Sequence, residues 1–467
     1  MGNKESVQIS SGKRTMIFIC LVVSGIASST LSTAMTTALP NLVEYFGVST
    51  SLGQWVTSGY SLAMGMIMPL TAFLITRFPT KRLYLSGIGI FILGLLLSIF
   101  SGNFGIMMVG RGLQACGNGI LMAAAQVVIL TVYPIEKKGT MMGTYGLATT
   151  AAPIIAPTVA GLLIDAFGWK SIFYVVLVIM AISFVLSSMV FENVLELQDK
   201  KFDVISFVES IFAFGGITLG LGNITTYGLI SVQAGVPLVI GALVCIFFVT
   251  RQCGLETPFL DVKILGNKNY AVSVIASMVL YLVMMGSSVM MPLYVQSVMG
   301  YSAVVSGLVT LPGSAATAII SPFAGRIYDK MGIKKIFVLG SAVLLISNLG
   351  MFFLSLETPL WVAAVLNVIR NISIGCLMMP LLTWGTSNVD FRKVADASSL
   401  LTSFRTIAGS VGSALFVGIM TAVSDASQAS YGDRALVHGM NISFLCMAAG
   451  AFVLLLIAVF AVRKTKE

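Results

Sequence analysis

Long apolar runs alternate with short polar segments along the whole chain, and this pattern predicts membrane-spanning helices. About fourteen runs can be distinguished, and each supplies the roughly 20 mainly apolar residues that a spanning helix needs. No connecting segment is long enough to form a soluble domain. The runs are centred near Val23, Met64, Leu95, Met122, Ile154, Leu177, Gly215, Gly241, Val283, Leu311, Leu344, Leu366, Gly412 and Leu454.

Composition and charge support this interpretation. Of the 467 residues, 57% are hydrophobic and only 10% are charged, whereas an ordinary soluble domain carries about 25% charged residues. A water-soluble enzyme is therefore excluded. The net charge of +9 is dispersed over many short segments rather than gathered in one patch, so we expect no nucleic-acid partner.

The positions of the cations predict how the chain is oriented. Most of the 27 lysines and arginines lie in every second connection between apolar runs. Cytoplasmic loops carry an excess of Lys and Arg. The pattern therefore predicts a plasma-membrane protein with an even number of spans and both termini in the cytoplasm.

An internal repeat divides the chain into halves. Pro69 corresponds to Pro322, and Arg111 corresponds to Arg370 at nearly the same offset. Two halves with similar spans are typical of transporters, whose substrate site lies between halves that rock against each other. The predicted organisation is a cytoplasmic N-terminus (1–14), a six-helix bundle (15–191), an inserted helix pair with its flanking loops (192–265), and a second six-helix bundle with a short tail (266–467).

Three segments resemble motifs of a known family: residues 325–335 in a basic loop, residues 110–117 in the fourth span, and the Gly/Pro-rich fifth span. The chain resembles the major facilitator superfamily, specifically the LmrB-like subgroup of its fourteen-span drug:proton antiporters (EmrB/QacA branch). The resemblance implies an all-α membrane protein, with two six-helix bundles related by pseudo-twofold symmetry and two inserted central helices. It implies a monomer that exports amphiphilic drugs or toxic compounds in exchange for protons.

The basic loop motif predicts a cytoplasmic gate. Gly325 permits two helices to approach closely, and the Asp329 carboxylate can pair with a cation or face the positive end of a neighbouring helix. The first-half copy has Thr76 where the aspartate would be, so we expect Asp396 to replace part of the missing charge. The predicted gate residues are Arg77, Gly325, Arg326, Asp329 and Asp396.

The fifth span carries small residues and prolines at three- and four-residue steps on one face. Small residues permit close helix packing and prolines bend a helix. This face resembles the antiporter motif of export-type members, although Ala156 replaces a glycine of that motif. The matching residues are Gly143, Gly146, Pro153, Pro157 and Gly161.

Charged groups inside the spans are the candidates for proton coupling. An arginine deep in a span is costly and by default functional, and the family resemblance gives Arg111 a coupling role; alternatively, it only fixes helix packing through facing carbonyls. The first span lacks the acid that many drug pumps carry. Asp165 is therefore our first choice and Glu209 our second, with interfacial snorkelling as the alternative for Glu209. The full set is Asp165, Arg111, Glu209 and Glu44.

Polar, aromatic and methionine side chains on the apolar runs are candidates for the substrate cavity. Such surfaces suit promiscuous binding of amphiphiles. They are Thr33, Thr36, Thr37, Gln54, Trp55, Gln114, Asn118, Gln126, Tyr281, Met284, Met291, Tyr294, Arg370, Thr402 and Arg405.

Two other classes of function are weighed against export. An uptake symporter or facilitator for a small metabolite uses the same fold, and the missing acid in the first span keeps that alternative open. A membrane-embedded enzyme or the permease of an ATP-driven pump is less well supported, because the chain has no phosphate-binding Gly-x-x-x-x-Gly-Lys-Ser/Thr loop and no HExxH or clustered His/Asp set. We expect no metal and no cofactor.

Overall fold

A computed structural model describes residues 10–48, 50–53, 55–194, 197, 203–227, 231–256, 258–301, 303–390 and 393–462. Within these ranges the regular structure is helical and no β-strand is present. The first helices are α1 (Ser11–Phe46), α2 (Trp55–Arg77), α3 (Thr80–Ile99), α4 (Phe104–Val132), α5 (Ile135–Phe167) and α6 (Lys170–Val190). They are followed by α7 (Val204–Tyr227), α8 (Val232–Gly254), α9 (Lys268–Leu293), α10 (Ala303–Phe352), α11 (Leu360–Ser387), α12 (Val394–Tyr431) and α13 (Ala435–Leu456).

Helix α10 is broken at Gly332, where φ is 71° and ψ is 176°. This left-handed φ favours glycine, which lacks a Cβ. At 1.5 Å per residue, 50 continuous helical residues would extend about 75 Å, more than twice the hydrocarbon thickness of a bilayer. The break therefore separates two arms, 303–331 and 333–352, and we call this corner the elbow.

Eleven helices in the described ranges are long and apolar enough to cross a membrane, or twelve if the two segments of α2, which bend by 50°, count as one span. Helix α5 is not among these eleven or twelve, and α10 counts as one of them. The multi-pass, all-helical prediction is confirmed, whereas this count does not reach the predicted fourteen spans.

The helices pack in two groups with a hairpin between them. Helix α1 packs against α4, α5 and α6, while α10 packs against α11 and α13. The hairpin of α7 and α8 contacts both groups, because α7 packs against α2 and against α12. The two groups also meet directly where α5 packs against α10 and where α2 packs against α12.

The two groups share a hydrophobic core at one end. We call this end the basic side, because it carries Arg77 at the end of α2, Lys137 at the start of α5, Lys330 at the elbow and Lys393 before α12. The cluster of buried residues built from the first helices extends into the basic-side ends of α9, α11 and α12. A second cluster fills the rest of α9 to α13. The cores are therefore continuous at the basic side.

Candidate functional site

One carboxylate joins the two groups of helices at the basic side. Asp329, near the end of the first arm of α10, accepts hydrogen bonds from the backbone N–H of Gly139 at 2.8 Å and of Thr140 at 2.7 Å. The Thr140 hydroxyl donates a third at 2.6 Å. Gly139 and Thr140 lie in the second turn of α5, so the carboxylate contacts the backbone near the start of that helix. Asp329 is therefore in direct contact with α5, and its role in a gate stays a prediction.

Glycines bring the backbones of α5 and α10 into contact beside this carboxylate. A Cβ on Gly325 would lie 2.1 Å from the carbonyl oxygen of Gly139, and a Cβ on Gly143 would lie 2.4 Å from that of Ser321. A Cβ on Gly146 would meet the Met379 side chain of α11 at 2.9 Å. The loop motif and the first half of the predicted antiporter motif therefore form one contact.

The rest of the predicted antiporter motif lies elsewhere on α5. Pro153 is half-buried, and the side chain of Pro157 lies outside the described residues. A Cβ on Gly161 would meet no atom within 4 Å. The face of α5 that carries small residues therefore packs tightly near the basic side, whereas at Gly161, near the other end, it has free space.

The other predicted gate residues have surroundings that differ from those of Asp329. Arg77 is exposed at the end of α2, and exposed Arg326 lies over the Phe323 ring, 5.8 Å from its centroid. Asp396 lies in the first turn of α12 and is only 2% exposed. Thr76 donates to carbonyl groups of its own helix. The compensating role of Asp396 stays a prediction.

Two further basic-side contacts were not predicted from the sequence. Ser398 of α12 donates a hydrogen bond of 2.9 Å to Gln126 of α4, and both side chains are buried. Gln126, predicted for the substrate cavity, therefore lies at the contact between the two groups. The sequence predicted that Gln126 shares a helix face with Gln114 and Asn118, but it did not predict Ser398 as its partner.

The second unpredicted contact involves the segment between α8 and α9. Phe259 stacks on Phe73 of α2 with ring centroids 5.7 Å apart, and Asp261 pairs with Lys393 at 2.6 Å. The hydrogen bond to Asp261 raises the pKa of the Lys393 ammonium. The apolar pair Phe259–Leu260 in the segment between α8 and α9 is a sequence signal for this contact.

A similar ion pair closes the hairpin at its basic-side end. Arg251 donates to Asp203 at 2.9 Å. Partial burial opposes ionisation of Asp203, but hydrogen bonds from Ser206 and Arg251 outweigh it and lower the pKa of this carboxyl. The pair therefore stabilises the hairpin above the ordinary aspartate pKa and loses this effect as the pH falls through the lowered value.

Arg111 is fully buried between helices of the first group. Its Nε donates to the carbonyl oxygen of Val56 at 2.9 Å, and Nη1 donates to Gln114 at 2.7 Å. The guanidinium lies 4.2 Å from the Tyr60 ring centroid, and the Tyr60 hydroxyl accepts from Asn118 at 2.8 Å. The structure thus places Arg111, Gln114 and Asn118 in one polar cluster inside the helix packing.

Arg370 occupies the matching place in the second group. It is 2% exposed and donates to Asn367 and to the Met351 sulfur. Thr317 of α10 donates to the backbone carbonyl of Asn371 at 2.9 Å, extending this cluster between α10 and α11. The repeat predicted from sequence therefore reappears as two buried arginine clusters, one in each group.

We expect Arg111→Lys to lower the thermal unfolding midpoint of the purified protein by roughly 2–5 °C. Lysine keeps a buried charge but cannot reproduce the planar fork that reaches Val56 and Gln114 together. Differential scanning fluorimetry in detergent measures this midpoint. Arg82→Lys is the control, because Arg82 is exposed. Equal midpoints for the two variants would contradict the assigned contacts.

The candidates for the substrate cavity in the second half of the chain lie in two different places. Arg405 of α12 donates to the Tyr281 hydroxyl, and its guanidinium lies 4.1 Å from that ring's centroid. Thr402 and Met284 are half-buried. Met291 and Tyr294, in contrast, are buried in the second hydrophobic cluster. Arg405 and Tyr281 therefore form a polar pair apart from that core.

The first-half cavity candidates are partly open to solvent or lipid. Thr36 and Trp55 are exposed, and Thr33 and Thr37 are half-buried. Gln54 lies outside the described residues. Among the described residues, Thr33, Thr36, Thr37 and Trp55 form no hydrogen bond or ring contact with Arg405 or Tyr281. Their role in binding substrate stays a prediction.

The predicted proton carriers have different surroundings. Asp165 at the far end of α5 and Glu44 near the end of α1 are both exposed. Glu209 of α7 is half-buried, and its Oε2 atom is buried without a hydrogen-bond partner among the described residues. Of these three carboxylates, Glu209 is the one with an oxygen buried inside the described structure, and the role of each in proton coupling stays a prediction. Within the described ranges, no group of three or more His, Cys, Asp or Glu residues could hold a metal ion.

Comparison with known proteins identifies related transporters. The chain is 31% identical to the uncharacterized MFS-type transporter YcnB of Bacillus subtilis, over 99% of this chain and 98% of that protein. It is 28% identical to the lincomycin resistance protein LmrB of Listeria monocytogenes, over 87% and 86% of the two chains. It is 27% identical to the riboflavin transporter RibZ of Clostridioides difficile, over 97% and 99%.

Solved structures share the fold at low sequence identity. The human organic anion transporter MFSD10 (TETRAN) matches with a TM-score of 0.64 at 11% identity, covering 95% of this chain and 100% of that one. The transporter FucP in its outward conformation matches with a TM-score of 0.62 at 13% identity, covering 95% and 99%. The profile of the Major Facilitator Superfamily matches residues 17–413. The chain is therefore a member of the major facilitator superfamily.

Proposed function

We propose that this transporter exports amphiphilic drugs or toxic compounds in exchange for protons by alternating access. The observation that carries the proposal is the contact of Asp329 with Gly139 and Thr140, which joins the two groups of helices at the basic side. Such a contact exists only while that side is closed. Its rupture and reformation would give the two access states that a secondary transporter needs.

Export as the direction of transport is supported by the relatives and by α5. LmrB of Listeria monocytogenes is named for lincomycin resistance, which suggests an amphiphilic substrate here. The face of α5 that resembles the antiporter motif takes part in the basic-side contact through Gly143 and Gly146. We infer that this chain acts as a monomer whose partners are small amphiphiles, protons and the bilayer.

We further propose fourteen spans in two bundles, 15–191 and 266–467, with an inserted pair within 192–265. If the two segments of α2 count as one span, twelve apolar helices are present, and adding α5 and counting the two arms of α10 separately raises the number to fourteen. The basic side is then cytoplasmic by the excess of Lys and Arg, and both termini lie in the cytoplasm of a bacterial cell.

Glu209 is the carboxylate that we propose carries the proton. Glu209 is half-buried, and its Oε2 atom is buried without a hydrogen-bond partner among the described residues. Helix α7 packs against α2 and α12, so a change of charge on Glu209 acts between the two groups. Asp165, the first choice from the sequence, becomes the second candidate because its side chain is exposed.

An uptake symporter or facilitator for a metabolite is the alternative function. The similarity to RibZ, a riboflavin transporter, favours it. The two functions differ in the direction in which substrate moves relative to the proton gradient, so one vesicle assay separates them.

Inverted membrane vesicles with an acidic interior test the proposal. We expect a fluorescent amphiphile to accumulate inside, and accumulation to stop when an ionophore collapses the pH gradient. Accumulation that persists without a gradient would contradict proton antiport. Loss of substrate from the vesicles, coupled to proton exit, would favour uptake instead.

Glu209→Gln is expected to remove the dependence of transport on the pH gradient, because glutamine cannot bind and release a proton. Glu256→Gln is the matched control, since Glu256 is exposed on the segment after α8. The measurement is the ratio of transport rates with and without the gradient. If this ratio is unchanged in Glu209→Gln but falls to one in Asp165→Asn, the proton carrier is Asp165 and not Glu209.

A further inference from the structure

A cavity of about 1620 Å³ opens at the elbow of α10, within the second group of helices. Its walls come from the start of α9, both arms of α10 and the last half of α11. Asp329 lines one edge, so the cavity adjoins the basic-side contact, but most of its wall is formed by residues that the proposed transport cycle does not use.

The mouth of the cavity is cationic. Four lysines line it, three of them exposed, and the half-buried Lys334 donates to the Val459 carbonyl at 3.2 Å. The acids in the lining are Glu136 and Asp329, and Asp329 is already bonded to α5. Positive charge is therefore in excess at the mouth. The lysines are Lys268, Lys330, Lys334 and Lys335.

The inner part of the cavity is apolar and reaches toward the membrane interior. Leu339 and Val343 line it from the second arm of α10, and Ile372 and Cys376 line it from α11. From Ile333 to Val343 a helix rises about 15 Å. Leu339 is 66% exposed, so the wall reaches the outer surface of the helix bundle. The cavity thus combines a cationic mouth with an apolar interior.

We propose that this cavity binds an anionic phospholipid, with its phosphodiester at the lysines and an acyl chain along the apolar wall. Basic pockets between membrane helices on the cytoplasmic side bind anionic head groups, and the apolar depth matches the tail of such a molecule rather than a free phosphate. Lys330 lies on the first arm of α10, while Lys334 and Lys335 lie on the second. A phosphate held by both arms fixes the elbow angle and so favours the closed basic-side contact of Asp329.

Lipid retention measured by native mass spectrometry tests the head-group site. After incubation with phosphatidylglycerol or phosphatidylcholine, we expect the protein to retain mainly phosphatidylglycerol. The triple variant Lys268→Gln, Lys334→Gln, Lys335→Gln should bind it more weakly, by on the order of fivefold per lysine. The control Arg82→Gln, Lys137→Gln, Lys263→Gln removes three exposed cations outside the cavity. Equal losses of phosphatidylglycerol binding in both triple variants would show that retention depends only on general surface charge. That result would overturn the proposal.

Protection of Cys376 from a maleimide tests the acyl-chain site, in a variant whose other five cysteines are replaced by alanine. Phosphatidylglycerol vesicles are expected to slow labelling relative to phosphatidylcholine vesicles, and the lysine triple variant is expected to lose this protection. Equal protection by soluble glycerol phosphate would show an anion site without an acyl chain and contradict the proposal. Both readouts measure lipid directly, so they remain informative if drug export is disproved.

Discussion

Replacing Gly325 with valine is expected to abolish transport while leaving the protein folded. A Cβ at this position would lie 2.1 Å from the Gly139 carbonyl oxygen and 3.0 Å from the Thr140 Cα. These are backbone atoms, which no rotamer change can move away. The steric conflict falls only on the closed basic side, so the variant should remain in the state in which α5 and α10 are apart. We expect the vesicle transport rate to fall by roughly 100-fold.

Gly89→Val is the control for this prediction, because a Cβ on Gly89 of α3 would meet no atom within 4 Å. Both changes place the same β-branched residue in a membrane helix, so only the contact differs. Expression level and monodispersity verify that Gly325→Val is folded. Normal transport by a folded Gly325→Val protein would show that α5 and α10 need not approach this closely during the cycle.

Substituting Asp329 is expected to have the second-largest effect, through charge rather than volume. The carboxylate accepts two backbone N–H bonds and one hydroxyl bond. A hydrogen bond to a charged group contributes about 1.5–3 kcal/mol, and asparagine would turn an amide N–H₂ toward at least one of these donors. Asp329→Asn should therefore shift the equilibrium toward the open basic side by about 10- to 100-fold, and Asp329→Ala by at least as much.

Distances between spin labels at Lys137 and Lys335 measure this equilibrium, because one label lies in each group of helices and both positions are exposed. The closed-distance population should decrease in Asp329→Asn. Glu256→Gln removes an exposed carboxylate instead and should not alter the populations. A distance distribution identical to that of the unchanged protein would show that Asp329 does not hold the gate closed.

The two predictions concern one contact that the sequence presents as two unrelated motifs. The loop motif around Gly325 lies far along the chain from the face of α5 that carries small residues, with 190 positions between Gly139 and Asp329, and each was interpreted from its own spacing. In the structure, Gly139 lies against both Gly325 and Asp329. We therefore expect the motif on α5 to affect transport partly by allowing the partner helix to approach closely, a role that bending by its prolines does not explain.

The sequence was least informative about which polar side chains face the same space. Helical periodicity placed Arg111, Gln114, Asn118 and Gln126 on one face of the fourth span. Three of them contact other helices of the first group. Gln126 lies about two turns beyond Asn118, closer to the basic side, and bonds to Ser398 of the second group. This polar face of α4 thus contacts the first group along part of its length and the second group nearer the basic side. The reason is that helices cross at an angle, so one face meets different neighbours along its length.

The sequence by itself determined the membrane location, the all-helical class, the repeat and the sided distribution of cations. These follow from local properties, because apolar length, backbone satisfaction and Lys/Arg placement depend on neighbours along the chain. Only the tertiary structure decided that Asp329 bonds to α5, that Asp165 is exposed while an oxygen of Glu209 is buried, and that four lysines surround an apolar cavity. Those facts depend on which distant helices pack together and at what depth, and a hydrophobic pattern with no partner assigned to each face does not contain them.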